Sequence, residues 1–302
     1  MATTVTLSAR DLSLLRLLSW TPASTALILR ASSTFEGGSF ADERRLRERL
    51  QALCRVGFVR FWSTAHAGGG LQNYYKLTPA GFDRLYGPDA TKPPRAFFVE
   101  ISPTFFEHTM QLAEAIIETM FACHAGHVTI ERFYRENELM FAAGNAEVQP
   151  DCFFRFNVGG RSFNVAVEID MSQESLDSVA PNSLREKIRV YDTYQDTLLS
   201  QWQAAGRVWE RPRFRVVFLT RSVQRAYHIL SLARLITANP RRRLVYAATQ
   251  DSLRGDTNPV RSPVFLDHAG HWQALVDLHP TAAYLRAPVQ LGNVVDQSVA
   301  IW

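Results

Sequence analysis

Four side chains in the second half of the chain have the types and spacing for metal-assisted phosphoryl chemistry: Asp151 after Pro150, Glu168 and Asp170 two residues apart, and Lys187. Residues two apart on a β-strand share a face, so Glu168 and Asp170 are expected to point together. Gly159-Gly160, between two β-rich runs, predicts a hairpin that returns Asp151 to the same end. Three carboxylates there repel one another unless positive charge lies between them. A hard divalent cation, Mg²⁺ or Mn²⁺, meets that need with oxygen ligands, which makes Asp151, Glu168 and Asp170 the expected metal ligands. Such an ion activates water and stabilises the charge that builds on a phosphodiester during cleavage. A purely structural account of the same residues also exists: Asp151 as a turn residue, Glu168 and Asp170 as caps, and Lys187 paired on its own helix.

The elements that must position these groups follow a proline-rich break, Gly87-Pro88 and Thr91-Lys92-Pro93-Pro94, which places a boundary near residue 95. Pro103 to Cys123 reads as a helix, with Phe106, Met110, Ala113, Ile116, Ile117 and Met120 on its apolar faces. Strands follow at Val128–Tyr134, Cys152–Val158 and Ser162–Ile169, then a helix over Ser183–Trp202. Phe214–Thr220 reads as a strand, Val223–Ala238 as a helix and Leu244–Ala248 as a strand. That order resembles the core of PD-(D/E)XK nucleases.

The stretch "VQPDCFFRFNVGGRSFNVAVEIDMSQESL…LREKIRVYDTY" is similar to the plasmid replication-relaxation family, a PD-(D/E)XK-related group that also carries an N-terminal winged helix. Its P-D turn, E-x-D strand end and following helix with Lys and Tyr match Asp151, Glu168, Asp170, Lys187 and Tyr191. "ERFYRENEL", with Glu136, resembles the strand before the P-D turn, and Glu114 lies on the helix that adds a further acid in this superfamily. The resemblance thus implies catalytic roles for Asp151, Glu168, Asp170 and Lys187, supported by Glu114, Glu136 and Tyr191. The chain departs from the nuclease signature at Asp170, where a lysine normally positions water and neutralises developing charge. The resemblance implies that Lys187, on the next helix, takes over that charge.

The first ninety residues carry a different chemistry. Ser8 is a good N-cap for a helix through Trp20. Pro22 suits the first turn of a second helix carrying Ala26, Leu27 and Ile28 inward. Asp42 caps a third helix in which Leu46, Leu50 and Leu53 form one buried stripe, and Gly57 ends it. Arg44, Arg45, Arg47, Arg49 and Arg55 occupy the other faces, and arginine suits phosphates and guanine edges. Phe58–Trp62 and Asn73–Leu77 read as strands around Gly68-Gly69-Gly70, and Thr78-Pro79 opens a last helix. The pattern "RRLRERLQALCRVGFVRFW…GGGLQNYYKLTPAGFDRLYG" resembles a winged helix-turn-helix, which implies DNA binding through the arginine helix. A docking or dimerisation module and a merely solvated charged face are the competing accounts.

The expectation is therefore an α/β protein of two domains, a winged helix-turn-helix over 1–92 and a PD-(D/E)XK-like unit with a central mixed sheet over 96–302. With 302 residues, 46% hydrophobic and 21% charged, the chain is long enough for two cores. Its net charge of +4 favours a polyanionic partner. Three unpaired cysteines, Cys54, Cys123 and Cys152, point to free thiols in a reducing compartment, and Asp11, Arg16, Pro22 and Arg30 interrupt the apolar stretch around Leu12–Leu29, so a cytoplasmic protein without a membrane partner is expected. Cys123, His124 and His127 are too few donors for zinc. Arg211, Arg213, Arg215, Arg221, Arg225 and Arg241-Arg242-Arg243 suggest either a solvated surface or a phosphate-tracking groove. Phe265 to Trp302 has no assignable element, though apolar Val299–Trp302 suits docking on the core or in a homodimer. Two functions lead: a Mg²⁺- or Mn²⁺-dependent endonuclease of plasmid, mobile-element or phage-defence type, and a DNA-binding regulator of replication or transcription whose nuclease-like domain is silent. A protein-docking scaffold is the third.

Overall fold

Side-chain caps set the helix starts in the first unit. The computed structural model describes residues 6–65, 71–172, 183–207, 212–239, 242–255 and 258–276. Ser8 and Asp11 form a reciprocal capping box at the start of α1 (Ala9–Trp20), Ser24 caps α2 (Thr25–Ala31), Asp42 caps α3 (Glu43–Arg55) and Thr78 caps α4 (Pro79–Tyr86). Between α1 and α2 the chain enters a short strand, β1 (Ala23–Ser24), so Pro22 lies outside the second helix and Ala26 is exposed. Of the expected inward set, Ile28 is fully buried and Leu27 packs partly buried against the same core. β2 (Val59–Ala65) and β3 (Leu71–Leu77) pair antiparallel, and β1 joins β3 to give a sheet of order β1-β3-β2. The glycine-rich tip at Gly68-Gly69-Gly70 lies outside the described residues.

Leu14, Leu15 and Leu18 of α1, Ile28 of α2, the Leu46, Leu50 and Leu53 stripe of α3 and Phe82 of α4 meet in one core. Ile117 and Met120 of α5 (Pro103–Ala125) pack with the same core. The chain accordingly divides into compact units at Phe121/Ala122 and not near residue 95. The apolar face of α5 reaches the N-terminal core beyond the proline-rich segment, and sequence punctuation alone could not show that.

The second unit is built on a seven-stranded mixed sheet. Its strands are β4 (Thr129–Arg135), β7 (Cys152–Val158), β8 (Arg161–Asp170), β9 (Phe214–Thr220), β10 (Val245–Thr249), β11 (Phe265–Asp267) and β12 (Trp272–Gln273), in the order β12-β11-β10-β9-β8-β7-β4. A hairpin of β5 (Phe141–Ala143) and β6 (Ala146–Val148) is separate, and Phe141 packs on Tyr191, Tyr194 and Phe214. β7 and β8 form the expected hairpin, with Gly159 and Gly160 both at positive φ.

β8, β9 and β10 run parallel, joined by α6 (Leu184–Ala204) and α7 (Val223–Ile236); α8 (Gln250–Gly255) follows β10. Two crossovers stepping in one direction place both helices on one face. There Leu184, Ile188 and Tyr191 of α6 and Ala226 and Leu230 of α7 pack with Ala166, Val216 and Phe218. β11 and β12 extend the sheet through residues for which no element was assignable from sequence; each is too short to carry a periodic signal. Val299–Trp302 lies outside the described residues.

Candidate functional site

The sheet end where β8 and β9 finish gathers most of the chemistry-bearing residues. β7 pairs Cys152 with Val167, which brings Asp151, just before the strand, beside the end of β8. The Ile169 N–H donates to Asp151 Oδ2 at 2.6 Å, fixing that carboxylate against the strand. Glu168 is 2% exposed and faces α6. Its Oε2 accepts from Lys187 Nζ at 3.0 Å and its Oε1 from the Tyr191 hydroxyl at 2.5 Å. Lys187 and Tyr191 lie one turn apart on α6, so one helical face delivers both donors. Asp151, Glu168, Lys187 and Tyr191 thus lie together at this strand end.

Electrostatics follow from that burial. Removal from water pushes the Glu168 carboxyl up to about 7, and the negative charge of Asp151 adds to the rise, while Lys187 and the Tyr191 hydroxyl oppose it. Burial, with Glu168 beside it, holds the Tyr191 phenol well above its usual range, so it remains a donor. Cys152 is likewise held as a thiol by burial and the two acids.

Asp170 departs from the expected ligand set. It shares the Glu168 face but accepts a two-pronged fork from Arg225 of α7, Nε at 2.8 Å and Nη2 at 2.9 Å. Among the described residues no three His, Cys, Asp or Glu side chains come together as a metal site, so Asp151, Glu168 and Asp170 do not form the three-carboxylate cluster expected, and Cys123, His124 and His127 form none either. Asp151 and Glu168 still fit Mg²⁺ or Mn²⁺ in donor type, since Mg²⁺ is commonly held by one or two carboxylates with water and substrate phosphate completing its shell. Glu168 Oε2 is occupied by Lys187, which must shift for an ion to bind there.

The supporting acids lie elsewhere. Glu136 is exposed in the turn after β4. Glu114 belongs to the first unit, as does Glu118 one turn on, which is buried and takes two N–H groups of Arg30. The basic residues of the second unit are largely spent internally. Arg215 donates to the Ala274 and Leu275 carbonyls, Arg242 pairs with Asp192 and Asp196, and Arg243 lies 3.5 Å from Asp267. Arg225 likewise forks on Asp170, so four of the described arginines are held by internal partners. Arg211 and Arg241 lie outside the described residues.

On α3, Arg44, Arg45 and Arg47 are 67%, 62% and 61% exposed at their side chains, and Arg55 is exposed too. They are partly self-neutralised: Arg44 and Arg45 pair with Glu48 and Arg47 with Glu43. Arg49 differs, because its guanidinium turns inward to the buried Asp11 and the Thr6 carbonyl. It braces α3 against α1 and is withdrawn from the set of arginines expected on DNA.

The second unit is of the mixed α/β class, with an acidic strand end and a lysine from the adjoining helix. The chain belongs to the replication-relaxation family, which matches residues 15–208. Among solved structures it is similar to the restriction endonuclease FokI at 11% identity and a TM-score of 0.28, covering 84% of this chain but only 45% of that one, a likeness too distant to define a fold. No curated protein matches the chain. Among the described residues no helix is long and apolar enough to cross a membrane.

Proposed function

We propose that this protein binds duplex DNA through the arginine face of α3, in a winged-helix arrangement, and cleaves DNA phosphodiesters in the second unit with Mg²⁺ or Mn²⁺. The observation that carries the reading is the meeting of Asp151, Glu168 and Lys187 at one strand end. Asp151 and Glu168 would hold the cation, which when bound supplies an activated water and polarises the phosphate. Lys187, displaced from Glu168, supplies a positive charge to the phosphate as negative charge grows on it. Tyr191 keeps the Glu168 carboxylate oriented through its hydroxyl. Plasmid nicking across a metal series tests this, with calorimetry of Mn²⁺ binding alongside. Asp151→Ala and Glu168→Ala should abolish both activities, and Lys187→Ala should spare binding but lose cleavage.

A second reading is favoured by one specific feature, the engagement of both Glu168 oxygens and both Asp170 oxygens by protein donors. In it the site is closed and the chain is a DNA-binding regulator of replication or transcription with a silent nuclease-like unit. Duplex binding without Mn²⁺ uptake or cleavage of any substrate selects this reading over the first.

A further inference from the structure

Arg30, near the end of α2, is both braced by the fold and open to solvent. The buried Glu118 of α5 takes its Nε and Nη2, and the guanidinium carbon lies over the Phe121 ring at 4.5 Å from the centroid. A two-pronged carboxylate and a ring face together fix the position and the plane of a guanidinium. The Glu118 bonds, with Glu114 adding negative charge nearby, also keep the group protonated. The side-on fork turns Nη1 away from the carboxylate, and its two N–H donors have no partner among the described residues. The Arg30 side chain is 42% exposed against 6% for Glu118, so the cation meets water where its partner does not.

Arg30 lines a groove of about 460 Å³ together with Ala26, Leu29, Ser33, Glu43 and Phe121. Glu43 begins α3 and pairs with Arg47 at 2.7 Å, so its charge is met within its own helix. Residues four apart on a helix share a face, which puts Arg47 on the face of α3 that walls the groove. The groove therefore continues the arginine surface of α3 toward α2.

We propose that Arg30 binds a backbone phosphate of the duplex that lies on α3, and that Glu118 and Phe121 are its positioning residues. The proposal rests on the DNA reading of the first unit and is independent of cleavage in the second. A guanidinium already held in place loses little side-chain freedom when it takes a phosphate, unlike an arginine held only by exposed acids of its own helix.

The test is a fluorescence titration of a short labelled duplex with the full chain across a salt series. Arg30→Gln alone strands the buried Glu118 carboxylate, so it is compared with the double variant Arg30→Gln with Glu118→Gln, in which no charge is left unpaired. Both should weaken duplex binding about tenfold and lower the salt slope by about 1, and the double variant should keep a thermal midpoint close to wild type. Arg30→Lys, which keeps the charge without the fork, should restore part of the affinity. The proposal is overturned if the double variant binds with wild-type affinity and slope, or binds more weakly with an unchanged slope, as a packing defect would. It is also overturned if Arg30→Gln abolishes thermal protection by inorganic phosphate yet leaves duplex affinity intact, since the groove would then serve a free anion. If Arg44→Glu, Arg45→Glu and Arg47→Glu abolish duplex binding while the Arg30 variants do not disturb it, the DNA reading stands and only the Arg30 contact is overturned. A wild-type chain that binds no duplex overturns both.

Discussion

Arg49 Nε and Nη2 each donate to Asp11 at 2.6 Å, so a residue of the α3 arginine series closes the seam between α1 and α3. Burial alone would raise the Asp11 carboxyl, but hydrogen bonds from Arg49 and Ser8 hold it below its ordinary value. A depressed carboxylate stabilises the fold above its unfolded pKa, and that stability is lost as pH falls through the folded value. Arg49→Met should therefore cost about 3 kcal/mol in urea unfolding at neutral pH, the cost of leaving a buried charge unpaired. The deficit should narrow as pH falls and the Asp11 carboxyl, no longer held down by Arg49, takes up a proton in the folded variant.

The exposed arginines of α3 should respond differently. Arg44→Glu, Arg45→Glu and Arg47→Glu together should weaken duplex binding to all sequences and lower the salt slope by up to about 3, with little loss of stability, because exposed ion pairs contribute about 0–1 kcal/mol. Glu48 neutralises both Arg44 and Arg45, so Glu48→Gln should tighten binding a few-fold. A fluorescence titration in which Glu48→Gln weakens binding would remove α3 as the DNA face.

Glu168 gives a pH signature. Its folded pKa of about 7 lies above the ordinary 4.5, so between those values the folded state holds a proton that the unfolded state has released. Stability from this group is complete below about pH 4.5 and declines as pH rises to about 7. Glu168→Gln should flatten that window and leave the protein more stable than wild type above it. Lys187→Met should move the window's upper edge higher, since Lys187 favours the ionised carboxylate. Urea unfolding from pH 4 to 9 checks both.

Lys76 gives the opposite sign in the first unit. Its ammonium donates to the Ala96 and Val99 carbonyls at 3.1 and 2.6 Å, and burial lowers its pKa from 10.5 to about 8. Between about pH 8 and 10.5 the unfolded chain holds the proton that the folded chain has lost, so stability rises with pH across that interval. Lys76→Met should abolish the rise in calorimetric scans, and its survival would mean another group produces it.

Local rules carried much of the fold. Caps at Ser8, Asp42 and Thr78, the Leu46, Leu50 and Leu53 stripe and the Gly159-Gly160 hairpin are written in short windows, where hydrogen-bond geometry and periodicity decide the outcome. β1, β11 and β12 span too few residues for any period to show. The site divides in the same way. Asp151, Glu168 and Lys187 follow from a hairpin and the helix after it, whereas Arg225 on Asp170, Arg49 on Asp11 and Arg242 on Asp192 join residues tens of positions apart. Arginine spacing on a helix cannot distinguish a guanidinium aimed at DNA from one aimed at a distant buried acid.

The separation of 55 residues between Asp170 and Arg225 also sets an order of events during synthesis. The β7–β8 hairpin is local and can close early, gathering Asp151, Glu168 and Asp170 before α6 and α7 have been made. At about 5–20 residues per second, Arg225 is made roughly 3–11 s after Asp170. Until then the hairpin end carries mutually repelling charge with neither helical cation to offset it, which disfavours a stable early hairpin. The acidic strand end thereby ties the first strands of the sheet to the arrival of the later helices, and the second unit is expected to fold in one cooperative step and not strand by strand.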